Sequence, residues 1–274
     1  MIFEKINLKD FYNLETNPLL TVYAQDNFTE IDINRKRKCV LILPGGAYAY
    51  TSRREAEPVA LKFLNDDICA FVLNYTCAPF TYPTPFVEVF AALSFIRRNS
   101  EKYHVDVNQI SVVGFSAGGH LAASCSAYHT SMEFANYLGI SLDEMKINGC
   151  ILGYPVISKD FGHAESFKNV TQGREDLREK LSIENQVTKD FPKTFIWHTT
   201  FDASVPVKNS LALAEKLSEN NIFFELHVYP MHGHGQSVCD RTVYNENVSD
   251  QIIEEMKYNT QWIGNAIHFI KEYL

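Results

Sequence analysis

The sequence lacks the features that direct a protein into a membrane or out of the cell. No apolar run approaches the about 18 residues that a membrane-spanning helix needs. The first residues, MIFEKINLKDFYNLE, carry charges every few positions and no continuous apolar segment, which argues against a secretion signal. We therefore expect a cytoplasmic protein that does not associate with membranes.

Cysteine is present, but without the spacing of metal-binding or redox sites. None of the six cysteines forms a C-x-x-C pair, and several lie in apolar runs, where a thiol packs as a small hydrophobic group. The even number leaves disulfides open, but a chain of 274 residues buries enough surface to fold without them. We expect no disulfide framework, no metal and no organic cofactor.

Basic residues are outnumbered by acidic ones. The chain has 25 Lys and Arg against 33 Asp and Glu, a net charge of −8. Because this charge repels phosphate backbones, DNA and RNA are not expected partners. Hydrophobic residues make up 46% of the chain, which is typical of a folded globular protein. The composition leaves open whether the chain forms homo-oligomers.

Short apolar runs alternate with segments of helical periodicity, and no repeat or linker interrupts them. This pattern predicts one α/β domain over residues 1–274, with a mainly parallel sheet covered by helices on both faces. The predicted strands are Cys39–Leu43, Ile68–Leu73, Gln109–Val113, Gly149–Tyr154, Thr194–His198 and Phe223–Tyr229. The predicted helices are Arg54–Leu64, Thr84–Arg98, Pro206–Glu219 and Asn259–Leu274.

Two segments depart from this alternation. Leu20–Ile33 alternates apolar and polar residues in part, which predicts antiparallel edge strands. Residues 158–190, between two predicted strands, are rich in charge and poor in apolar periodicity. We expect an insertion there, either a short polar lid or a surface loop with one helix around Arg174–Lys180.

The segment Gly114–Gly119, GFSAGG, carries the strongest functional signal. It matches G-x-S-x-G between a predicted strand and a predicted helix, where a serine lies on a strained turn with its Oγ exposed. Small residues at Gly114 and Gly118 let the strand and the helix close around that turn. The free N–H groups of the helix N-terminus favour negative charge nearby. The pattern predicts Ser116 as a nucleophile.

A second glycine-rich turn, Pro44–Tyr48, follows the first predicted parallel strand. On its own it is a strand-to-helix turn, which uses glycine for positive φ. Its place one strand-helix-strand unit before the serine favours a role as an oxyanion hole. The amides of Gly46, Ala47 and Ala117 would then receive the developing charge, and one such donor is worth about 3–4 kcal/mol in the transition state.

A serine nucleophile needs a base, and the base needs an orienting acid. His232 and His234 directly follow the last predicted strand, at the sheet edge where α/β proteins place their sites. Asp202 follows the preceding strand, where the alternative role is a turn or a helix cap. The order Ser116, Asp202, His234 is the one expected for a triad on this kind of sheet.

These motifs resemble the α/β-hydrolase esterases, in the branch of acetyl xylan esterases, ferulic acid esterases, small carboxylesterases and hormone-sensitive-lipase-like enzymes. The similarity runs from about Val40 to Gly235 through LPGGAY, LNYTCAP, GFSAGGHLA and LHVYPMHGHG. It implies the α/β-hydrolase fold with Ser116 as nucleophile and Asp202 as acid. The P-x-x-x-H-G ending of the family implies His234, rather than His232, as base.

The chain departs from the His-Gly-Gly-Gly of these relatives at Pro44 and Ala47. Pro44 removes a hydrogen-bonding side chain from the turn, and Ala47 keeps its N–H but resists a positive φ. The insertion at 158–190 is also shorter and more polar than the apolar lids of lipases. Long-chain triglycerides are therefore not expected substrates.

The resemblance implies a serine carboxylic-ester hydrolase that acts on small soluble short-acyl esters, notably acetylated sugars, through an acyl-enzyme. Tyr48, Tyr50 and Tyr75 are candidate walls of the substrate site, the alternative being partly buried aromatic packing. Two other functions stay open. One is amidase, peptidase or formamidase chemistry on the same residues, and the other is non-catalytic ligand binding on the same fold.

Overall fold

The computed structural model describes residues 1–230 and 232–274, so Met231 of the PMHGHG motif lies outside the described residues. The strands are β1 (Ile2–Asn7), β2 (Leu19–Ala24), β3 (Arg37–Leu43), β4 (Cys69–Asn74), β5 (Val105–Phe115), β6 (Gly149–Gly153), β7 (Lys193–Thr199) and β8 (Phe224–Tyr229). The helices are α1 (Glu57–Asn65), α2 (Thr84–Arg98), α3 (Ser100–Tyr103), α4 (Ser116–Tyr128), α5 (Met132–Leu138), α6 (Leu142–Met145), α7 (Ala164–Thr171), α8 (Glu175–Lys180), α9 (Lys208–Glu219), α10 (Asp250–Met256) and α11 (Gln261–Tyr273).

The strands form one sheet in the order β1-β2-β4-β3-β5-β6-β7-β8. The six strands from β4 to β8 in this order are parallel, while β2 is antiparallel to both β1 and β4. Successive residues of β3 enter two separate hydrophobic clusters, Leu41 on one face and Ile42 on the other. Both faces are thus covered, as predicted for a mainly parallel α/β sheet.

All six predicted parallel strands are present, with their ends shifted by a few residues. The predicted helix Thr84–Arg98 coincides with α2, because its apolar stripe faces the sheet over its whole length. The helix predicted from Arg54 begins later. A short 3₁₀ turn occupies Arg53–Glu55, and α1 follows with Pro58 in its first turn, where its missing N–H costs nothing.

The prediction of edge strands over Leu20–Ile33 is right only in its first part. The strand β2 ends at Ala24, and the residues that follow form turns in which Ile31 is 74% exposed. The alternation continues in the sequence, but its apolar side chains do not pack onto a core, and these residues form no strand. The strand β2 pairs with β4 on one side and, on the other, with β1, Ile2–Asn7, which the sequence did not predict as a strand.

The insertion between β6 and β7 contains more structure than predicted. The expected helix is α8, but α7 precedes it, and the single-helix prediction is wrong for this reason. Both helices bury apolar side chains too widely spaced to stand out in the sequence, namely Phe167, Val170 and Leu177. The segment is therefore packed onto the domain, and movement as a lid stays a prediction.

Candidate active site

Ser116 lies at the junction of β5 and α4, where the chain turns sharply. Its φ is +53°, a left-handed conformation that side chains rarely adopt. A Cβ added at Gly114 would overlap the carbonyl of Gly118, and one added at Gly118 would overlap the carbonyl of Leu43. The two glycines thus allow the strand and the helix to close around the strained serine, as predicted.

Three side chains from separate loops meet at the carboxyl edge of the sheet. His234, after β8, places Nε2 at 2.8 Å from Ser116 Oγ. Its Nδ1 lies 2.6 Å from Oδ2 of Asp202, after β7. The residues predicted from chain order are therefore brought together, because the carboxyl ends of parallel strands share one edge.

Asp202 is held as an anion. Its side chain is fully buried, and Oδ1 accepts the backbone N–H groups of Ser204 and Val205 at 3.0 and 2.8 Å. Burial alone would raise the pKa of this carboxyl, but interactions with His198 and His234 and the Val205 N–H outweigh it, so the pKa lies below its usual range. An ionised carboxylate only accepts, so the proton of His234 resides on Nδ1 and Nε2 is free to accept from Ser116.

His232 takes a different position. It also has a positive φ, of 66°, and its Nε2 lies 3.5 Å from Oε2 of Glu255 in the helix α10. The hydrogen bond to Ser116 therefore belongs to His234, the histidine that the family motif indicated.

The turn after β3 carries three consecutive positive φ values, +133° at Gly46, +55° at Ala47 and +57° at Tyr48. Ala47 adopts a positive φ although its Cβ disfavours that conformation. A strained residue of this kind costs about 1–3 kcal/mol. Position 46 requires glycine, because a Cβ there would overlap the carbonyl of Tyr50.

The carbonyl groups of this turn are occupied by donors from other segments. The carbonyl of Pro44 accepts from Tyr75 Oη at 2.7 Å, and that of Gly45 accepts from Ser52 N at 2.8 Å. The carbonyl of Ala47 accepts from Asn169 Nδ2 at 2.8 Å, and that of Tyr48 accepts from Ala78 N at 2.7 Å. In the described part of the chain, the Gly46 and Ala47 amides donate to no protein acceptor. Ala117 lies in the first turn of α4, where N–H groups have no partner within the helix.

Comparison with known proteins assigns the chain to a family. The family model described as BD-FAE matches residues 26–217, more than half of the chain. The chain belongs to the BD-FAE family. The resemblance to α/β-hydrolase esterases inferred from the motifs is thereby confirmed.

Curated relatives of this BD-FAE chain include two proteins whose names refer to xylan. Endo-1,4-beta-xylanase B of Butyrivibrio fibrisolvens is 36% identical over 86% of this chain and 38% of its own length. The acetylxylan esterase of Xylanibacter ruminicola is 27% identical over 74% of this chain and 42% of its own length. The chain thus spans about two-fifths of these relatives.

Solved structures show the same fold over nearly the whole chain. An acetyl ester-xyloside bifunctional hydrolase from Caldicellulosiruptor lactoaceticus has a TM-score of 0.81 and 29% identity, covering 98% of this chain and 95% of that one. A sugar hydrolase, YeeB, from Lactococcus lactis has a TM-score of 0.75 and 29% identity, covering 98% and 100%. The BD-FAE chain therefore has the predicted α/β-hydrolase fold, among relatives and structures that are hydrolases, several of them named esterases.

The three candidate wall tyrosines occupy different positions. Tyr50 is 64% exposed and lines the cavity that contains Ser116 and His234. Tyr48 is buried, at 1% exposure, and lines neither this cavity nor the groove beside it, so its prediction as a wall is wrong. Tyr75 is 3% exposed and does not line this cavity, but it lines the adjoining groove. Their hydroxyls point into the protein, where they support the turn instead.

Tyr48 is hydrogen-bonded to a buried histidine of α4. His120 Nε2 lies 2.8 Å from the carbonyl of Leu181, which only accepts, so Nε2 carries the proton and Nδ1 accepts from Tyr48 Oη at 2.7 Å. Burial lowers the pKa of His120 to about 4, despite the opposing bond to Leu181. This neutral ring joins the turn to the insertion, a role that no sequence motif indicated.

The cavity around Ser116 is small and polar. Its volume is about 260 Å³, and its rim includes Arg54, His163 and Glu165. A groove of about 770 Å³ adjoins it and shares Tyr50 and Ser52 with its wall.

Neither a metal cluster nor a membrane helix is found in residues 1–230 and 232–274. No group of three or more His, Cys, Asp or Glu side chains in these residues is arranged to hold a metal ion. None of the described helices combines the length and the apolar character needed to cross a bilayer.

Proposed function

We propose that this BD-FAE chain is a serine esterase that hydrolyses small, soluble short-acyl esters, with acetylated sugars as its substrate class. The observation that carries the proposal is the continuous path from Ser116 through His234 to Asp202, with distances of 2.8 and 2.6 Å. This path gives the serine a base of defined tautomer, and the base an anionic partner.

In the acylation step, Ser116 Oγ attacks the ester carbonyl carbon while His234 Nε2 takes the hydroxyl proton. The carbonyl electrons move to oxygen, and the resulting oxyanion is received by the amides of Gly46, Ala47 and Ala117. When the tetrahedral intermediate collapses, the bond to the alcohol oxygen breaks. His234 then protonates the departing alkoxide, and the acyl group remains on Ser116.

Deacylation repeats these steps with water. His234 removes a proton from a water molecule, and the hydroxide oxygen attacks the acyl carbon. The bond to Ser116 Oγ then breaks, the serine regains its proton from His234, and the carboxylic acid leaves. Asp202 stabilises the positive imidazole in both steps.

The shapes of the cavity and the groove support a short acyl group on a larger alcohol. A volume of about 260 Å³ beside Ser116 suits a small acyl group, while the adjoining groove of about 770 Å³ offers room for a sugar. The groove carries the exposed rings of Phe3 and Tyr50 together with the polar side chains of Arg53 and Asn74. The xylan-related names of the relatives agree with this substrate class.

The test replaces Ser116 by alanine, with Ser124→Ala as the matched control. Ser124 lies buried on the same helix, and its Oγ donates only to the carbonyl of His120. The kcat of Ser116→Ala on 4-nitrophenyl acetate should fall by at least about a thousandfold, and that of the control should stay near wild type. Retained activity in Ser116→Ala would refute the nucleophile assignment.

Substrate class is tested with 4-nitrophenyl esters of increasing chain length and with acetylated xylo-oligosaccharides. We expect kcat/KM to fall steeply beyond butyrate, and acetate to be released from the oligosaccharides. Preference for octanoate or longer acyl groups would refute the short-acyl proposal. Faster hydrolysis of the matching anilides would favour the amidase alternative, and ligand binding without turnover would favour a binding protein.

A further inference from the structure

A buried glutamate lies directly behind the proposed oxyanion turn. Glu55 is 3% exposed, and within the described residues no cationic side chain is paired with it. Burying an unpaired carboxylate is costly unless its oxygens are hydrogen-bonded. Both carboxylate oxygens of Glu55 accept a hydrogen bond, one from the oxyanion turn and one from a tyrosine that contacts the loop of His234.

The first bond leads to the oxyanion turn. Oε2 of Glu55 accepts the N–H of Gly45 at 2.8 Å, one residue before the proposed donor Gly46. A Cβ at Gly45 would lie 2.9 Å from Cβ of Ser116 and 2.7 Å from the carbonyl oxygen of Phe115. The turn is therefore packed against the nucleophile, and Glu55 binds it at this point of contact.

The second bond leads to the histidine loop, which we define as residues 232–240. Oε1 of Glu55 accepts the hydroxyl of Tyr154 at 2.6 Å. The same hydroxyl accepts the N–H of Ser237 at 2.9 Å, and the Tyr154 ring meets the His234 ring edge-on with centroids 4.9 Å apart. Burial and the Glu55 carboxylate keep the pKa of Tyr154 well above its usual value, so the hydroxyl remains a donor.

We propose that Glu55 and Tyr154 are positioning residues that hold the oxyanion turn and the histidine loop in register on either side of Ser116. The path runs from Gly45 N–H through the carboxylate and the phenol to Ser237 N–H. A second bond from Ser237 Oγ to the carbonyl of Arg54, at 2.5 Å, reinforces it next to Glu55. This inference rests on the proposed esterase function, since it gives both walls a role in one reaction.

The kinetic test uses Tyr154→Phe and Glu55→Gln. Because a shift of about 1 Å can cost about a hundredfold in rate, we expect kcat on 4-nitrophenyl acetate to fall about 10- to 100-fold, with KM changed less than about threefold. The inhibition constant of phenylboronic acid, which forms a tetrahedral adduct with a serine, should rise by the same factor as kcat/KM falls. A purely structural role would not produce this proportionality.

Two matched variants control for the loss of a buried hydrogen bond elsewhere. Glu144→Gln alters a partly buried carboxylate, away from the site, that accepts from the N–H of Ser141 and from Ser94 Oγ. Tyr12→Phe removes a buried hydroxyl that donates to Ser94. Both controls should keep wild-type kcat and boronate affinity.

Backbone hydrogen exchange supplies a readout that does not need activity. Either positioning variant should accelerate exchange in residues 45–50 and 232–240 together, and neither control should. If Ser116→Ala abolishes esterase activity but the positioning variants match their controls in kcat and exchange, the inference fails and the proposed function stands. If the wild-type chain is not an esterase, exchange decides: coupled acceleration supports the link between the two segments, and unchanged exchange overturns it.

Discussion

The two halves of the candidate site are held in different ways. Ser116 is positioned by its neighbours in the chain, since β5 leads directly into α4 and the glycines at 114 and 118 allow the close turn. The histidine loop contains no strand or helix within residues 232–240. Its position depends on side chains that are distant in sequence.

Ser237 illustrates this dependence. Its N–H, Oγ and carbonyl group are bound by Tyr154, Arg54 and Trp262 respectively, and the last bond, from Trp262 Nε1, measures 2.9 Å. Backbone geometry thus places the nucleophile, and a set of long-range hydrogen bonds places the base. The four predictions below test this difference.

The largest effect is expected at the base itself. His234→Asn should lower kcat at least about a thousandfold, because Ser116 then loses the base that lies within hydrogen-bonding distance of its hydroxyl. His232→Asn should leave kcat within about threefold of wild type, since His232 lies near Glu255 instead. Steady-state kinetics on 4-nitrophenyl acetate measures both, and an equal loss in the two variants would contradict the assignment.

The turn that carries Ser116 is tested by adding one methyl group at Gly118. Gly118→Ala should lower the free energy of unfolding by about 3 kcal/mol or more, because the added Cβ meets the carbonyls of Leu43 and Pro44. Gly264→Ala in α11 is the matched control, as nothing lies within 4 Å of its added Cβ. We expect the control to be neutral or up to about 1 kcal/mol more stable. Urea unfolding gives both values, and equal stability of the two variants would refute the close-packing argument.

His120 lies on the same helix as Ser116, but its ring is hydrogen-bonded to residues distant in sequence, Tyr48 and Leu181. Its folded pKa of about 4 is below the unfolded value of 6.5, so the unfolded chain binds the proton more tightly. Stability from this group is complete above pH 6.5 and is lost as the pH falls towards 4, by up to about 3 kcal/mol in total. His120→Gln should flatten the dependence of unfolding free energy on pH in this window. An unchanged slope would show that the ring is not held neutral.

The smallest effect is a difference in stability between variants of two stacked tryptophans. Trp262 and Trp197 have ring centroids 5.0 Å apart, but Trp197 Nε1 has no hydrogen-bond partner among the described residues. Trp262→Phe should therefore cost about 1 kcal/mol more stability than Trp197→Phe, since it leaves the Ser237 carbonyl with only the weak thiol donor of Cys239 at 3.5 Å. Chemical unfolding of both variants measures the difference. A larger loss in Trp197→Phe would weaken the case for side-chain support of the loop.

Much of the candidate site could be predicted because its elements leave local patterns. The apolar run of β5, the small residues around Ser116 and the helix after it are all encoded within about fifteen positions. Asp202 was found from its place after a late strand, as were His232 and His234 together, and the family motif then indicated His234. Wrong predictions arose where a local pattern had no tertiary counterpart, as in the exposed alternation that ends at Ile33.

The supporting residues left no comparable signal. Tyr48 follows the glycine-rich turn, yet its ring turns inwards to His120, and the sequence contains no information on that direction. Glu55 looks like any charged residue near a helix start, although it is buried and bound to both walls of the site. A burial pattern was the missing information in both cases.

The sequence by itself determined the parallel sheet and the strained serine turn, and it predicted Asp202 as the acid and His232 or His234 as the base. These depend on periodicity, on glycine where a Cβ has no room, and on the order of the strands. Only the tertiary structure decided which histidine reaches Ser116, which tyrosines are exposed and what binds the oxyanion turn to the histidine loop. Those outcomes depend on hydrogen bonds between residues up to 183 positions apart, and such contacts form only when the whole sheet has assembled.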